Sequence, residues 1–176
     1  MKIKILSMGN MLNLSTNKIE LGIEVLFENN IGNSKETLSL VGTYFKNGKI
    51  NSYPSLNSVK DNPLYYITLG KVMESMYKFE GENAKNAFSN CLVIYEKYNK
   101  KIESIKSSEG YISSFRKKKE AEIMLNSIKK KSNTSSEEIS KLMNVILHST
   151  KSYDLEIKAI LDKMNLELYD LEFDSI

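Results

Sequence analysis

The sequence is poor in the residues that build disulfides, zinc sites and bidentate contacts. Its 176 residues include one cysteine, one histidine, two prolines and no tryptophan. One cysteine excludes an intramolecular disulfide framework. One cysteine and one histidine together do not supply the four ligands that a structural zinc site usually has. A single arginine, Arg116, stands against 24 lysines, which removes most of the bidentate chemistry that reads phosphates and guanines.

Long apolar runs are also missing. The run Leu92–Tyr95 spans four residues, whereas a transmembrane helix needs about 20. Behind Lys2 and Lys4, the N-terminal segment alternates apolar and polar residues and has no continuous apolar stretch of the kind found in signal peptides. We therefore expect a cytoplasmic protein without a membrane segment.

The net charge of +3 hides an uneven distribution along the chain. Residues 101–131 carry nine basic and four acidic groups, while residues 132–176 carry four basic and nine acidic groups. Two explanations are open. Neighbouring helices of opposite charge would complement each other within the chain, or the two segments would form separate partner surfaces.

The first 55 residues have the pattern of an antiparallel sheet. In residues 18–28 five apolar residues at every second position are opposed by Glu20, Glu24 and Glu28, which is the period of two that strands require, and residues 2–6 and 36–45 also read as strands. Asn47-Gly48 predicts a type I′ hairpin turn, in which both central residues have positive φ, followed by a short strand from Ile50 to Tyr53. The sheet then has about four strands. The face of residues 18–28 predicted to be buried carries Ile19, Leu21, Ile23, Val25 and Phe27.

From residue 62 the apolar period becomes helical. Asn62-Pro63 is a helix entry with Asn as cap and Pro in the first turn, and further helices follow from Asn83, Tyr111, Ser135 and near Ser152. In the second helix apolar residues recur at steps of 3 and 4 over three heptads, the pattern of a coiled-coil seam. We expect self-association as a homodimer through six residues of this seam: Phe88, Cys91, Tyr95, Tyr98, Ile102 and Ile105.

Together these patterns predict an α+β protein. A small antiparallel sheet with the first helix would occupy residues 1–82, and a helical region with one long coiled-coil-like helix would occupy residues 83–176. The acidic tail after residue 166 fits a helix end, a late strand or a frayed segment equally well.

None of the candidate catalytic patterns is complete. Gly42–Lys49 has five residues between its glycines where a phosphate loop has four. His148 has no selected partner for nucleophilic chemistry, and Cys91 falls on an apolar helix face. Asp154, Glu156 and Lys158 match the D-x-E-x-K pattern of metal-dependent nucleases. That pattern requires a strand, but the apolar residues around it recur with a helical period. We assign no catalytic, cofactor-binding or metal-ligating residue and expect a protein that is not an enzyme.

The third predicted helix is strongly basic. Its cations would contact phosphates without regard to base sequence, and Tyr111 and Phe115 nearby would stack on bases. Alternatively, the basic residues of this helix form a solvated face or pair with the acidic segment that follows. The cations proposed for contact with nucleic acid or an acidic partner are Arg116, Lys117, Lys118, Lys119, Lys129, Lys130 and Lys131.

These observations favour a non-enzymatic binding protein that occupies the surface of a protein or nucleoprotein partner. A small, Lys- and Asn-rich cytosolic chain of this kind would suit a phage- or plasmid-encoded inhibitor of a host system. The alternative is a nucleic-acid-binding protein that uses residues 111–131, and a third hypothesis is a metal-dependent nuclease.

Overall fold

We analysed a computed structural model that describes residues 1–51, 61–129 and 135–173. The described residues form three β-strands followed by five α-helices, so the predicted α+β class is confirmed. The strands are β1 (Lys2–Asn13), β2 (Lys18–Asn30) and β3 (Thr37–Phe45). The helices are α1 (Pro63–Phe79), α2 (Glu82–Lys106), α3 (Glu109–Ile128), α4 (Ser136–His148) and α5 (Lys151–Tyr169).

The chain divides into two compact units. The sheet unit comprises residues 1–96 and 164–176, and the helical unit comprises residues 97–163. Both boundaries fall within helices, α2 and α5. The division into 1–82 and 83–176 stays a prediction from sequence. No helix in the described ranges combines the length and apolar content needed to cross a bilayer.

The strands form one antiparallel sheet in the order β1-β2-β3. Ile5 lies opposite Val25 and the next pair is Ser7 with Glu24, so Leu6 is the extra residue of a β-bulge. The bulge changes the spacing of buried residues in β1 from two, between Ile3 and Ile5, to three, between Ile5 and Met8. It therefore keeps Met8 on the core face, which strict alternation would not.

The predicted count of about four strands is wrong. In the described part of the chain, the segment after β3 forms only an isolated bridge between Ile50 and Tyr44, and Tyr53 lies outside the described residues. The turn also differs from the expected type I′. Gly48 has a φ of 74° but Asn47 does not have positive φ, and the Gly48 N–H donates to the Phe45 carbonyl at 2.8 Å.

The core of the sheet unit is an aromatic cluster between the sheet and α1. The ring centroid of Phe79 lies 5.6 Å from that of Phe27 and 5.2 Å from that of Tyr44, both at edge-to-face angles. Phe173 packs on Phe79 from the C-terminal segment at 6.1 Å. The Tyr44 hydroxyl donates to the Met76 carbonyl at 2.8 Å and so satisfies an acceptor in the last turn of α1.

Two further contacts hold the ends of these elements. As predicted, Asn62 caps α1, its side chain accepting from the Leu64 N–H at 3.0 Å. At the other end of α1, the Gly81 N–H donates to the Gly48 carbonyl at 2.9 Å. A Cβ on Gly48 would overlap the Gly81 backbone, so only glycine fits there without displacement.

The tip of the β1–β2 hairpin is held by Asn51. Its carboxamide donates to the Leu12 carbonyl at 2.8 Å and accepts from the Leu14 N–H at 2.6 Å. Leu12 and Leu14 are exposed near the tip, and Ile19, which was predicted to be buried, is 73% exposed. The alternation of apolar and polar residues in β2 thus extends beyond the part of the strand that the core covers.

The helical unit is packed more loosely. α3 and α4 lie against each other. Ser108 caps α3, Ser135 caps α4 as predicted, and the ring of Tyr153 meets Tyr111 edge-on at 5.6 Å. Among its described residues, the buried ones are Ile102, Ala121 and Thr150.

Candidate interaction surfaces

The basic residues of α3 divide into exposed and packed positions. Arg116, Lys117, Lys119 and Lys129 are exposed. Lys119 pairs with Glu122 at 2.7 Å and its ammonium lies 5.6 Å from the Phe115 ring centre. Lys130 and Lys131 lie outside the described residues. The exposed cations remain candidates for contacting an acidic partner.

Lys118 has a different environment from the other basic residues. Its side chain is half-buried and its Nζ lies 3.5 Å from the Thr150 hydroxyl. Thr150 is buried and donates to the Asp154 carboxylate at 2.7 Å. Lys118 therefore contributes to the packing of α3 beside the start of α5 and is a poor choice for a surface mutation.

The heptad residues of α2 are largely used within the chain. Phe88, Cys91 and Ile102 are buried, whereas Tyr95, Tyr98 and Ile105 are partly accessible. Burial raises the pKa of the Cys91 thiol to about 12, which makes it an unreactive apolar group. Self-association through this seam stays a prediction, and any such contact would have to use the three accessible residues.

Among its described residues, the helical unit exposes nine large apolar side chains and buries two apolar ones, Ile102 and Ala121. No residue of α4 is fully buried, and its apolar residues Ile139, Leu142 and Ile146 are half-buried. Met143 and Leu147 lie one turn apart on its surface, and Leu147 is 63% exposed. The large exposed apolar residues of this unit are Ile112, Phe115, Ile123, Met124, Met143, Val145, Leu147, Leu155 and Leu161.

Charge also separates the two units. The helical unit carries 15 basic and nine acidic residues, a net charge of +6, whereas the sheet unit carries ten and 13, a net charge of −3. The acidic excess that the sequence showed after residue 132 comes mainly from the tail beyond residue 166. That tail belongs to the sheet unit, so the helical unit keeps a strong positive charge.

The sheet unit contains an open groove that the sequence did not reveal. Its volume is about 660 Å³. Leu21, Phe45, Phe88 and Leu92 supply its apolar lining, and Glu20, Lys46 and Asn47 complete it. The groove depends on α2 lying beside the end of β3, a contact between residues more than 40 positions apart, which no local pattern contains.

The candidate catalytic residues are not assembled into a site. Residues 42–49 form the end of β3 and its turn, and His148 is exposed at the end of α4. Asp154, Glu156 and Lys158 lie on α5, as the helical period required. Within the described ranges, no three His, Cys, Asp or Glu residues are grouped so that they could hold a metal ion.

No protein-family model, curated protein or solved structure matches the chain.

Proposed function

We propose that this protein is a non-enzymatic binding protein whose helical unit docks on an acidic protein partner. Occupying that partner's surface would block what the partner does there, which is the action of an inhibitor. The observation that supports this proposal most directly is the contrast between the small core of the helical unit and its large exposed apolar area.

The number of buried apolar side chains differs greatly between the two units. Of the 23 apolar side chains that are buried in the described structure, 21 belong to the sheet unit and two to the helical unit. Fully burying a large apolar side chain stabilises by about 1.5–3 kcal/mol. Large apolar side chains that a unit leaves exposed become a protein interaction site where they lie together within a polar rim.

The charge of the helical unit favours an acidic partner. A net charge of +6 over 67 residues raises the rate of encounter with negatively charged surfaces and discriminates against basic ones. The apolar residues would then supply contact area after encounter. α4 suits this role, because Met143 and Leu147 form an exposed pair on one side of the helix.

The experiment is capture of the partner by the tagged protein from its source cell, followed by binding measurements with the purified pair. We expect Met143→Glu with Leu147→Glu to weaken that binding at least about tenfold, since two buried apolar contacts would be lost. The matched control is Leu12→Glu with Leu14→Glu, an equally exposed leucine pair on the β1–β2 hairpin. Equal affinity of both variants and wild type would contradict the proposal.

A second candidate function is binding of nucleic acid through α3. Its support is the exposure of Arg116, Lys117 and Lys119 on α3 and of Lys129 at its C-cap. We expect such binding to weaken steeply with salt and to be insensitive to base sequence. Titration of single- and double-stranded DNA and RNA probes tests it, with Arg116→Glu, Lys117→Glu and Lys119→Glu combined as the variant. The absence of a salt-dependent complex with every probe would remove this candidate.

A further inference from the structure

The open groove of the sheet unit has the size of a small-molecule site. Its volume of about 660 Å³ falls within the range of about 300–1,000 Å³ that is usual for ligand-binding clefts. All of its lining residues belong to the sheet unit, so the groove is complete within one compact unit. The proposed docking of the helical unit does not use these residues.

Four residues of the groove lining are apolar. Phe45 at the end of β3 and Phe88 of α2 are almost fully buried, whereas Leu21 and Leu92 are partly accessible. The two leucines therefore keep apolar surface in contact with water. An apolar chain lying in the groove would remove that surface from water, which favours binding.

The polar side of the lining offers hydrogen-bond donors. Lys46 is exposed, and in the described part of the chain it takes part in no ion pair. The carboxamide oxygen of Asn47 accepts from the Lys49 N–H at 3.1 Å, which leaves the NH₂ group of Asn47 to donate. An ammonium and an amide donor thus stand next to each other in the lining.

The acidic residue of the lining is already engaged. One carboxylate oxygen of Glu20 accepts from the Asn13 carboxamide at 2.9 Å, and the other accepts from the Thr16 hydroxyl at 3.1 Å. These two bonds hold Glu20 to the β1–β2 hairpin, and Glu20 does not neutralise Lys46. The groove therefore favours a ligand that brings its own carboxylate, since charge-assisted hydrogen bonds are the strong ones.

We propose that the groove binds a small monocarboxylate with an apolar chain, a free fatty acid of medium length. The carboxylate accepts from the Lys46 ammonium and the Asn47 amide, and the chain lies along Leu21 and Leu92. Such a ligand matches both parts of the lining, because its charged end pairs with a cation and the rest of it is apolar. A cationic chain would match only the apolar part.

The first measurement compares three ligands by isothermal titration calorimetry, each below its micelle concentration. We expect decanoate to bind with a Kd of about 1 mM or below. Decylammonium has the same chain and the opposite charge, and it should bind at least about fivefold more weakly. Butanoate keeps the carboxylate but lacks most of the chain, and it should bind at least about tenfold more weakly.

A charge reversal tests the contact with the carboxylate. We expect Lys46→Glu to weaken decanoate at least about tenfold and to make decylammonium the tighter of the two ligands. Lys49→Glu is the matched control, because it makes the same change of net charge in the same turn but lies outside the groove lining. The control should leave both affinities within about twofold of the wild type.

A truncation tests the apolar part of the groove. We expect Leu92→Ala to weaken decanoate about threefold or more, since apolar contact with the chain is lost. The control is Val93→Ala, which changes the neighbouring residue, 71% exposed and outside the lining, and should leave the affinity unchanged. Circular dichroism confirms that every variant keeps its helices. Amide NMR shifts locate the ligand, and we expect the largest ones at residues 45–47 and 88–92.

Four results would overturn the proposal. They are no binding of decanoate, equal affinity for decylammonium, equal effects of Lys46→Glu and Lys49→Glu, and amide shifts centred on Met143 and Leu147 instead of the groove. A peptide ending in leucine that binds more tightly than decanoate would assign the groove to the C-terminus of a protein instead. Partner capture is scored with the α4 variant, so this proposal and the proposed function fail independently.

Discussion

The sheet unit and the helical unit differ in how many of their apolar residues they bury. In the sheet unit, Phe27, Tyr44 and Phe79 interlock and the helix α1 covers one face of the sheet. In the helical unit, residues with the same helical period lie largely at the surface. An amphipathic pattern in a sequence therefore identifies an apolar face but does not say which molecule covers that face.

The largest expected effect is on stability, when the same Phe→Ala substitution is made in each of the two units. Phe79 is 2% exposed and Phe115 is 42% exposed. We expect Phe79→Ala to lower the free energy of unfolding by about 3–5 kcal/mol, since it removes the centre of the aromatic cluster. Phe115→Ala should cost about 1 kcal/mol or less. Denaturant titration measures both losses, and equal values would contradict the difference in burial between the two phenylalanines.

Alkaline pH should act on the sheet unit. Burial raises the pKa of Cys91 from 9.0 to about 12. The pKa of Tyr44 is also raised above its ordinary value, mainly by burial and to a smaller extent by the negative charge of Glu80. The folded state then holds protons that the unfolded state releases, so stability falls as pH rises above 9. Each group adds a slope of at most about 1.4 kcal/mol per pH unit.

Cys91→Ala isolates the contribution of the thiol. Between pH 9 and 10 we expect the stability of this variant to decline less than that of the wild type, by about 1 kcal/mol. Both proteins are compared by denaturant titration at matched pH and ionic strength. Parallel curves over that range would show that Cys91 does not hold its proton in the folded state.

The smallest effect concerns the hairpin tip. Asn51→Ala removes both hydrogen bonds to the backbone of Leu12 and Leu14. Because the site is exposed, we expect a loss of about 0.5–1.5 kcal/mol, together with faster hydrogen exchange at the Leu14 amide. Asn33→Ala, in the exposed turn after β2, is the control and should leave that exchange rate unchanged.

Local chemistry was predictable from the sequence. The cap at Asn62, the cap at Ser135 and the alternation of β2 each depend on residues a few positions apart. The bulge at Leu6, the bond from Asn51 to the hairpin and the exposure of Ile19 depend on which distant segment lies opposite. The apolar period of a sequence does not show which distant segments pair, and so the number of strands was overestimated.

The candidate surfaces show the same limit. The exposed cations of α3 were readable from the sequence, but Lys118 could not be separated from them until Thr150 was placed beside it. The α2 heptads were recognised as apolar, while their burial within the chain required the fold.

The hydrogen bond from the Gly81 N–H to the Gly48 carbonyl has a consequence for the chain as a polymer. It joins residues 33 positions apart and closes the intervening chain, α1 included, into a ring at its base. The entropy lost in closing such a ring grows only with the logarithm of its length. The connection within this ring should therefore accept inserted residues, whereas the two glycines at its base should not accept replacement.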